Sequence, residues 1–375
     1  MKKIAILTLN GYYNYGNRLQ NYATQEMLKS LDFDAETIIN DSKILSKKGL
    51  LERIYNLGTY SVEELYSKIN NKFWRSISKD SIAKRTNIFK KFTSDYINET
   101  DYSISKNNIP NDLSDRYDYF ITGSDQVWNP DNLHGSSIYF LTFAEKHKRI
   151  AFAPSFGVSE IKAEYVERYK EWLSGMHRLS VREDDGAKII KELTGRDAPV
   201  LVDPTMLLTK EKWLSIAKPA KNKPQGRYLL TYFLGGIPAK YKKQIRNIVK
   251  KNNLEVINLG DIREKETYET GPSEFIDYIN SCSIVCTDSF HGTVFSIVFE
   301  KPFIVYERIG SSSSMYSRID TLLNKFDLNS RKAENIKTNN DVFDIDYSHV
   351  PPILEQERKK AIDYLKEALN VKDDN

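Results

Sequence analysis

Residues 283–308, SIVCTDSFHGTVFSIVFEKPFIVYER, constrain the fold more than any other stretch. Ile284-Val285-Cys286-Thr287 is short, apolar and largely β-branched, as a buried strand is. Asp288 and Ser289 follow, residue types favoured at helix N-caps. Residues 293–299 then carry apolar side chains at helical spacing. Lys301-Pro302 ends that helix, and residues 302–306 read as the next strand. A strand–helix–strand unit of this kind belongs to a parallel α/β sheet. Ligands bind such sheets at the carboxyl ends of strands, where helix N-termini present unpaired N–H groups. His291 stands at that turn, where a histidine can meet a substrate and exchange protons with it. The competing reading is that it caps or packs the turn.

The same rhythm runs through the rest of the chain. Residues 4–9 read as a strand, 10–17 as a polar loop with glycines, 19–31 as an amphipathic helix and 35–39 as a strand. This is how a Rossmann-like domain begins. The loop has neither GxGxxG nor GxxxxGK[ST] spacing, so no dinucleotide or P-loop nucleotide is implied. Residues 117–122 return to strand character and end in Gly123-Ser124-Asp125-Gln126-Val127-Trp128-Asn129-Pro130. That segment suits a ligand loop, or else a turn in which Asp125 caps a helix and Trp128 enters the core. Residues 138–143, 149–153, 178–181 and 199–202 are strand candidates. Arg182-Glu183 follows the third and Asp203-Pro204 the last, while 161–173 and 184–193 are helical. After the proline- and lysine-rich segment 218–226 the alternation restarts, with strands at 228–233 and 254–259. Helices follow at 240–250, 272–281, 318–326 and 354–369.

The prediction is an α/β chain of two Rossmann-like domains with a cleft between them. The N-terminal domain spans 1–205, with a helical insertion at about 41–112. A linker covers 206–226, the C-terminal domain 227–350, and a final helix within 351–375 packs back toward the N-terminal domain. At 375 residues each domain can bury its own core.

Charge narrows the partners. With 55 Lys+Arg against 51 Asp+Glu, a net charge of +4 is too mild to argue for nucleic acid. The only two cysteines, Cys282 and Cys286, are flanked by apolar residues and read as core rather than as metal ligands. The apolar run after Lys3 is too short for a signal peptide and no stretch has the length of a membrane span, so a cytoplasmic protein is expected. Residues 43–53, a basic stretch of the basic and aromatic insertion, are either part of a solvated helical excursion or a peripheral contact with the inner face of a membrane.

Taken together, Tyr15-Gly16-Asn17-Arg18-Leu19-Gln20-Asn21, Gly123 through Asn129, Leu179-Ser180-Val181-Arg182-Glu183, Val202-Asp203-Pro204-Thr205 and the turn from Asp288 to His291 resemble the polysaccharide pyruvyl transferase family. The resemblance implies a GT-B-like fold with its site between the domains. It implies transfer of a pyruvyl group from phosphoenolpyruvate, a co-substrate rather than a cofactor, to two hydroxyls of a surface-glycan sugar. Whether that sugar is lipid-linked stays open. His291 is then the acid/base candidate. Arg182, Arg308, Arg318, Ser289 and Ser311 are candidates for the donor's anionic groups. Asn14, Gly16, Asn17, Ser124, Asp125, Gln126, Glu183 and Asp288 are candidates for the acceptor side or its loops, with Asp288 favoured as a plain helix cap. The family's Arg-Leu-His turn reads Ser289-Phe290-His291 here. Either Arg308, Arg318 or Arg182 replaces the missing cation, or the donor differs. Two other functions share such a fold: glycosyl transfer from a nucleotide sugar, and glycan binding without turnover.

Overall fold

The computed structural model of the 375-residue chain describes residues 1–42, 74, 77–133, 136–309 and 316–371. Among these, two separate parallel sheets organise the molecule. The first contains β1 (Lys3–Leu7), β2 (Asp34–Asn40), β3 (Glu99–Ile104), β4 (Tyr119–Thr122) and β5 (Arg149–Ala151), in the order β3-β2-β1-β4-β5. The second contains β6 (Tyr228–Tyr232), β7 (Glu255–Leu259), β8 (Ile284–Thr287) and β9 (Phe303–Val305), in the order β7-β6-β8-β9. The winding direction reverses between β1 and β4 in one sheet and between β6 and β8 in the other. Such reversals open a crevice beyond the carboxyl ends of the two strands.

Among the described residues, the helices longer than five residues are α1 (Tyr15–Ser30), α2 (Lys79–Tyr96), α3 (Val166–Ser174), α4 (Asp184–Thr194), α5 (Ala239–Asn252), α6 (Pro272–Ser281), α7 (Phe290–Val298), α8 (Ser317–Lys325) and α9 (Val350–Ala368). Helix α1 starts four residues before its predicted position because the Asn14 side chain accepts from the Asn17 N–H. It is buried on nearly every side, including polar positions. Gln20 donates to the Thr8 hydroxyl at 2.7 Å and accepts from the Ser124 N–H at 3.1 Å, tying α1 to the carboxyl ends of β1 and β4.

Each half has an apolar cluster of its own, but the largest cluster spans both. It joins Ile4, Leu19 and Phe89 to Trp213, Phe275, Phe295 and Leu365. Tyr15 sits at the seam, stacked on Phe275 at 4.4 Å and 5.4 Å from Tyr232. Buried Arg85 of α2 locks the same seam. It donates to the Tyr15 hydroxyl at 2.9 Å, the Tyr13 carbonyl at 3.0 Å and the Thr270 carbonyl at 3.2 Å. Helix α9 returns to the first half, where Tyr364 donates to the Ala151 carbonyl of β5 and Arg358 to the carbonyls of Met206 and Leu208.

Four expectations change. Residues 138–143 are not a strand: Ser137–Phe140 forms a 3-10 turn that buries Ile138, Tyr139 and Phe140 together, where a strand would turn Tyr139 to the opposite face. Residues 178–181 and 199–202 make only single bridges, Ile150 to Arg178 and Val181 to Val200. The insertion is not wholly helical, because β3 lies within it and extends the first sheet beside β2. The 206–226 segment is not a free linker. Trp213 is fully buried with its indole N–H on the Thr205 carbonyl, and Lys223 pairs with Asp277 of α6 at 2.8 Å. Residues 43–53, His134 and Ser311 through Ser314 lie outside the described residues.

Candidate functional site

The two reversal points face one another, and ionisable side chains fill the space between them. Helix α7 brings His291. The Ser289 hydroxyl accepts from the Gly292 N–H at 3.3 Å, so Ser289 and not Asp288 is the N-cap. The helix therefore begins at Phe290, which puts His291 in its first turn. The Asp288 carboxylate instead accepts from the N–H groups of Leu234 and Gly235 at 2.7 and 2.8 Å, fastening the loop after β6. That corrects the reading of Asp288 as a plain helix cap.

His291 is 6% exposed and reaches the first half of the molecule. Its Nε2 lies 3.6 Å from Asp203 Oδ2, and this ring nitrogen has no hydrogen-bond partner among the described residues. Its other face rests on Gly16 in the first turn of α1. A Cβ built on Gly16 would stand 2.0 Å from His291 Nδ1. We expect Gly16→Ala to push the imidazole aside and to lower both turnover, by at least about tenfold, and melting temperature. Turnover and a melting curve on one preparation check this; wild-type values for both would show that the ring has room to move.

Asp203 is the hub. Its Oδ1 accepts from the Thr205 N–H and hydroxyl at 3.0 and 2.7 Å. Its Oδ2 meets the Arg182 guanidinium and lies 2.9 Å from the Ser124 hydroxyl, whose single proton can go to Asp203 or to the Ala153 carbonyl. Ser124 is held there by the turn after β4, where Gly123 has φ +121° and a Cβ would fall 2.2 Å from the Phe152 carbonyl oxygen. Arg182 also reaches Asp125 Oδ1 at 3.3 Å, and Arg318 of α8 lies 3.9 Å from the same oxygen. Between these arginines sits Phe290, with the Arg182 guanidinium 4.2 Å and the Arg318 guanidinium 5.9 Å from its ring centroid. Arg308 closes the C-terminal side, donating to the Asp288 carbonyl at 3.0 Å, with its Nε 3.4 Å from the Asp288 carboxylate.

Burial sets the electrostatics. Alone it would raise the Asp203 carboxyl, but His291 and Arg182 outweigh it and hold that group well below the ordinary carboxylate range. Asp125 is likewise lowered, burial being overcome by Arg182, His291 and Arg318. Arg318 falls to about 10 through burial, with the neighbouring Arg182 charge adding to the effect. Glu183 goes the other way. It is fully buried and its carboxyl is raised by desolvation, despite nearby Arg182 and Arg318 and the donors around it. Its Oε1 accepts from the Ser155 hydroxyl and the N–H groups of Phe156 and Gly157.

Of the residues singled out in the sequence, His291, Arg182, Arg318, Asp125 and Ser124 belong to this one cluster, with Gly16 packed on the histidine. Arg308 and Asp288 form its rim. Asn14 and Asn17 serve α1, as cap and as donor to the Leu9 carbonyl, and Gln126 accepts from Asn129 within its own loop. Trp128 is core, stacked on Phe140 at 5.0 Å. The sequence reading missed Asp203 as a site residue, although Asp-Pro-Thr at a strand end carried the signal. It also missed the role of Phe290. Cys282 and Cys286 are buried thiols, both pushed up to about 12 by desolvation. Among the described residues, no group of three His, Cys, Asp or Glu side chains could hold a metal ion. No described helix is long and apolar enough to cross a membrane.

Two facing Rossmann-like sheets joined by a shared seam define a GT-B-like α/β protein. A protein from Listeria monocytogenes assigned as a UDP-N-acetylglucosamine 2-epimerase superposes with a TM-score of 0.50 at 10% identity, over 99% of this chain and 97% of its own. The UDP-GlcNAc 2-epimerase from Neisseria meningitidis gives 0.47 at 9% identity, over 99% and 100%. The E. coli ADP-heptose heptosyltransferase II gives 0.38 at 11%, over 96% and 99%. At such identities the likeness is one of fold alone. The chain belongs to the polysaccharide pyruvyl transferase family, whose model matches residues 14–308. By family it is a polysaccharide-modifying transferase. No curated protein matches it.

Proposed function

We propose that this protein transfers a pyruvyl group from phosphoenolpyruvate to two hydroxyls of one sugar in a cell-surface polysaccharide unit, forming a ketal. The observation that carries this reading is the His291–Asp203 pair, formed across the two halves and ringed by Arg182, Arg308 and Arg318. A donor with a carboxylate and a phosphate needs cations, and its methylene carbon needs a proton. Protonated His291 delivers that proton to the methylene carbon, and the adjacent carbon becomes cationic. A sugar hydroxyl adds there and its proton passes to the imidazole. A second hydroxyl then attacks the same carbon, and phosphate leaves with the electron pair of the broken C–O bond and takes up the released proton. Asp203 holds the imidazole and balances its charge. Arg308 and Arg318 take the place of the arginine missing from the Ser289-Phe290-His291 turn, with Phe290 as the platform that sets the Arg318 guanidinium.

The test is donor affinity in a variant carrying Arg308→Gln and Arg318→Gln. Charge-assisted hydrogen bonds are worth about 1.5–3 kcal/mol each. Phosphoenolpyruvate binding should therefore weaken by at least about tenfold per arginine, measured by calorimetry or thermal protection. Unchanged affinity removes these arginines from the donor site. Thermal protection by a nucleotide sugar, with none by phosphoenolpyruvate, replaces the reading with glycosyl transfer.

A further inference from the structure

Helix α5 has the sequence AKYKKQIRNIVKKN, with six cations and no carboxylate in its 14 residues. Ile245 and Ile248 are its buried residues and define the inward face. At about 100° per residue, Lys240, Lys243, Arg246, Lys250 and Lys251 all project into the opposite half of the helix surface. These five are exposed, and none forms an ion pair with a described residue. Lys242, the sixth, is exposed as well, and its charge adds to that of Arg263, which chiefly lowers the Asp261 carboxyl. The chain's net charge is only +4, so this single face concentrates an excess that the remainder of the surface cancels.

The helix also has a position. It starts from the loop after β6, where Leu234-Gly235-Gly236-Ile237 crosses the rim of the cleft. The N–H groups of Leu234 and Gly235 hold the Asp288 carboxylate, three residues before His291. Leu234 itself is 46% exposed, one of the few large apolar side chains left in solvent among the described residues. A cationic helix face with an apolar tip at one end matches an anionic lipid surface, where headgroups meet the cations and Leu234 enters the acyl boundary. Single-stranded nucleic acid would call for exposed stacking rings, and the one aromatic residue of α5, Tyr241, is packed on Tyr306 at 4.8 Å.

We propose that the outward face of α5, with Leu234 at its leading end, docks the protein on an anionic membrane and sets the rim of the cleft at the bilayer surface. This docking is independent of the chemistry in the cleft, and its readout is binding rather than turnover. The experiment pellets the full chain with phosphatidylcholine vesicles, with and without phosphatidylglycerol. Wild type should bind only when phosphatidylglycerol is present. Each cation near such a surface is worth about fivefold in partitioning. Reversing Lys240, Lys243 and Lys250 to Glu should therefore cost at least about 100-fold while the melting temperature stays near wild type. If that variant is unstable, the same three positions changed to Gln should still cost most of the binding. Leu234→Gln should weaken the part of the binding that survives high salt. Binding without anionic lipid, or binding unaffected by the triple change, overturns the proposal. So does loss of binding only when Lys43, Lys47 and Lys48 are changed to Glu, or duplex DNA competing at lower concentration than the vesicles.

Discussion

His291→Ala should lower turnover per folded molecule by about 10²–10⁴, the range for losing a positioned proton donor. The variant should also lose about 1–3 kcal/mol of stability, because the imidazole is 6% exposed and packed between Asp203 and Gly16. The two effects are separable. Asp203 keeps Arg182, the Ser124 hydroxyl and both Thr205 donors when the imidazole is gone, so the hub survives. Donor affinity should change little, since the arginines are untouched. Melting temperature, phosphoenolpyruvate affinity and turnover on one preparation tell the outcomes apart. Free imidazole added to the alanine variant should restore part of the rate if a missing proton carrier is the cause. Near-normal turnover in a destabilised variant would make His291 a packing residue, and the acid/base role would have to pass to another group.

Asp203→Ala is expected to be the most damaging change to stability, by about 3–5 kcal/mol, because it strips a buried arginine of its closest counter-ion. Asp125 keeps only part of the Arg182 charge compensated, through a longer 3.3 Å contact. The pH dependence has a definite sign. The folded-state Asp203 carboxyl is lowered relative to an unfolded value near 3.9. Its contribution is therefore fully present above about pH 4 and is lost as pH falls through the folded-state value. Asp203→Asn keeps the shape and one acceptor oxygen but replaces the other with a donor amide and removes the titrating carboxyl, so it should show a flatter loss of stability on acidification than wild type. Denaturant unfolding between about pH 2 and pH 7 measures this, with the difference concentrated below about pH 4. Parallel acid profiles for wild type and Asp203→Asn would mean that the acid sensitivity comes from other carboxylates.

Local signals carried most of the architecture. Strands β6 and β8 and helix α6 are legible from apolar runs and from Pro272, because their ends coincide with caps and turns. The misses share a cause, which is packing at a distance. Residues 138–143 are apolar enough for a strand, yet the ring of Trp128 pulls Phe140 into a turn. Edge strand β3, ETDYSI, is too polar to announce itself and exists because β2 offers it a ladder. The site was legible as far as single residues go. His291, Arg182 and Asp125 could be picked out at strand ends, but no spacing says that Asp203 meets His291 from 88 positions away. Nor does any local pattern announce Phe290, whose ring lies between two guanidinium groups contributed by distant parts of the chain.

Two-lobed proteins of this kind invite the picture of a clamshell. The seam around Tyr15 argues against a wide one here. A swing of the lobes would have to part Tyr15 from Phe275, expose an aromatic interior to water, and withdraw Arg85 from carbonyls on both sides at once. Such a hinge works against the hydrophobic effect over its whole arc. Entry and exit are then matters of small local movement at the rim of the cleft, a mouth rather than a jaw, with the seam held shut behind it.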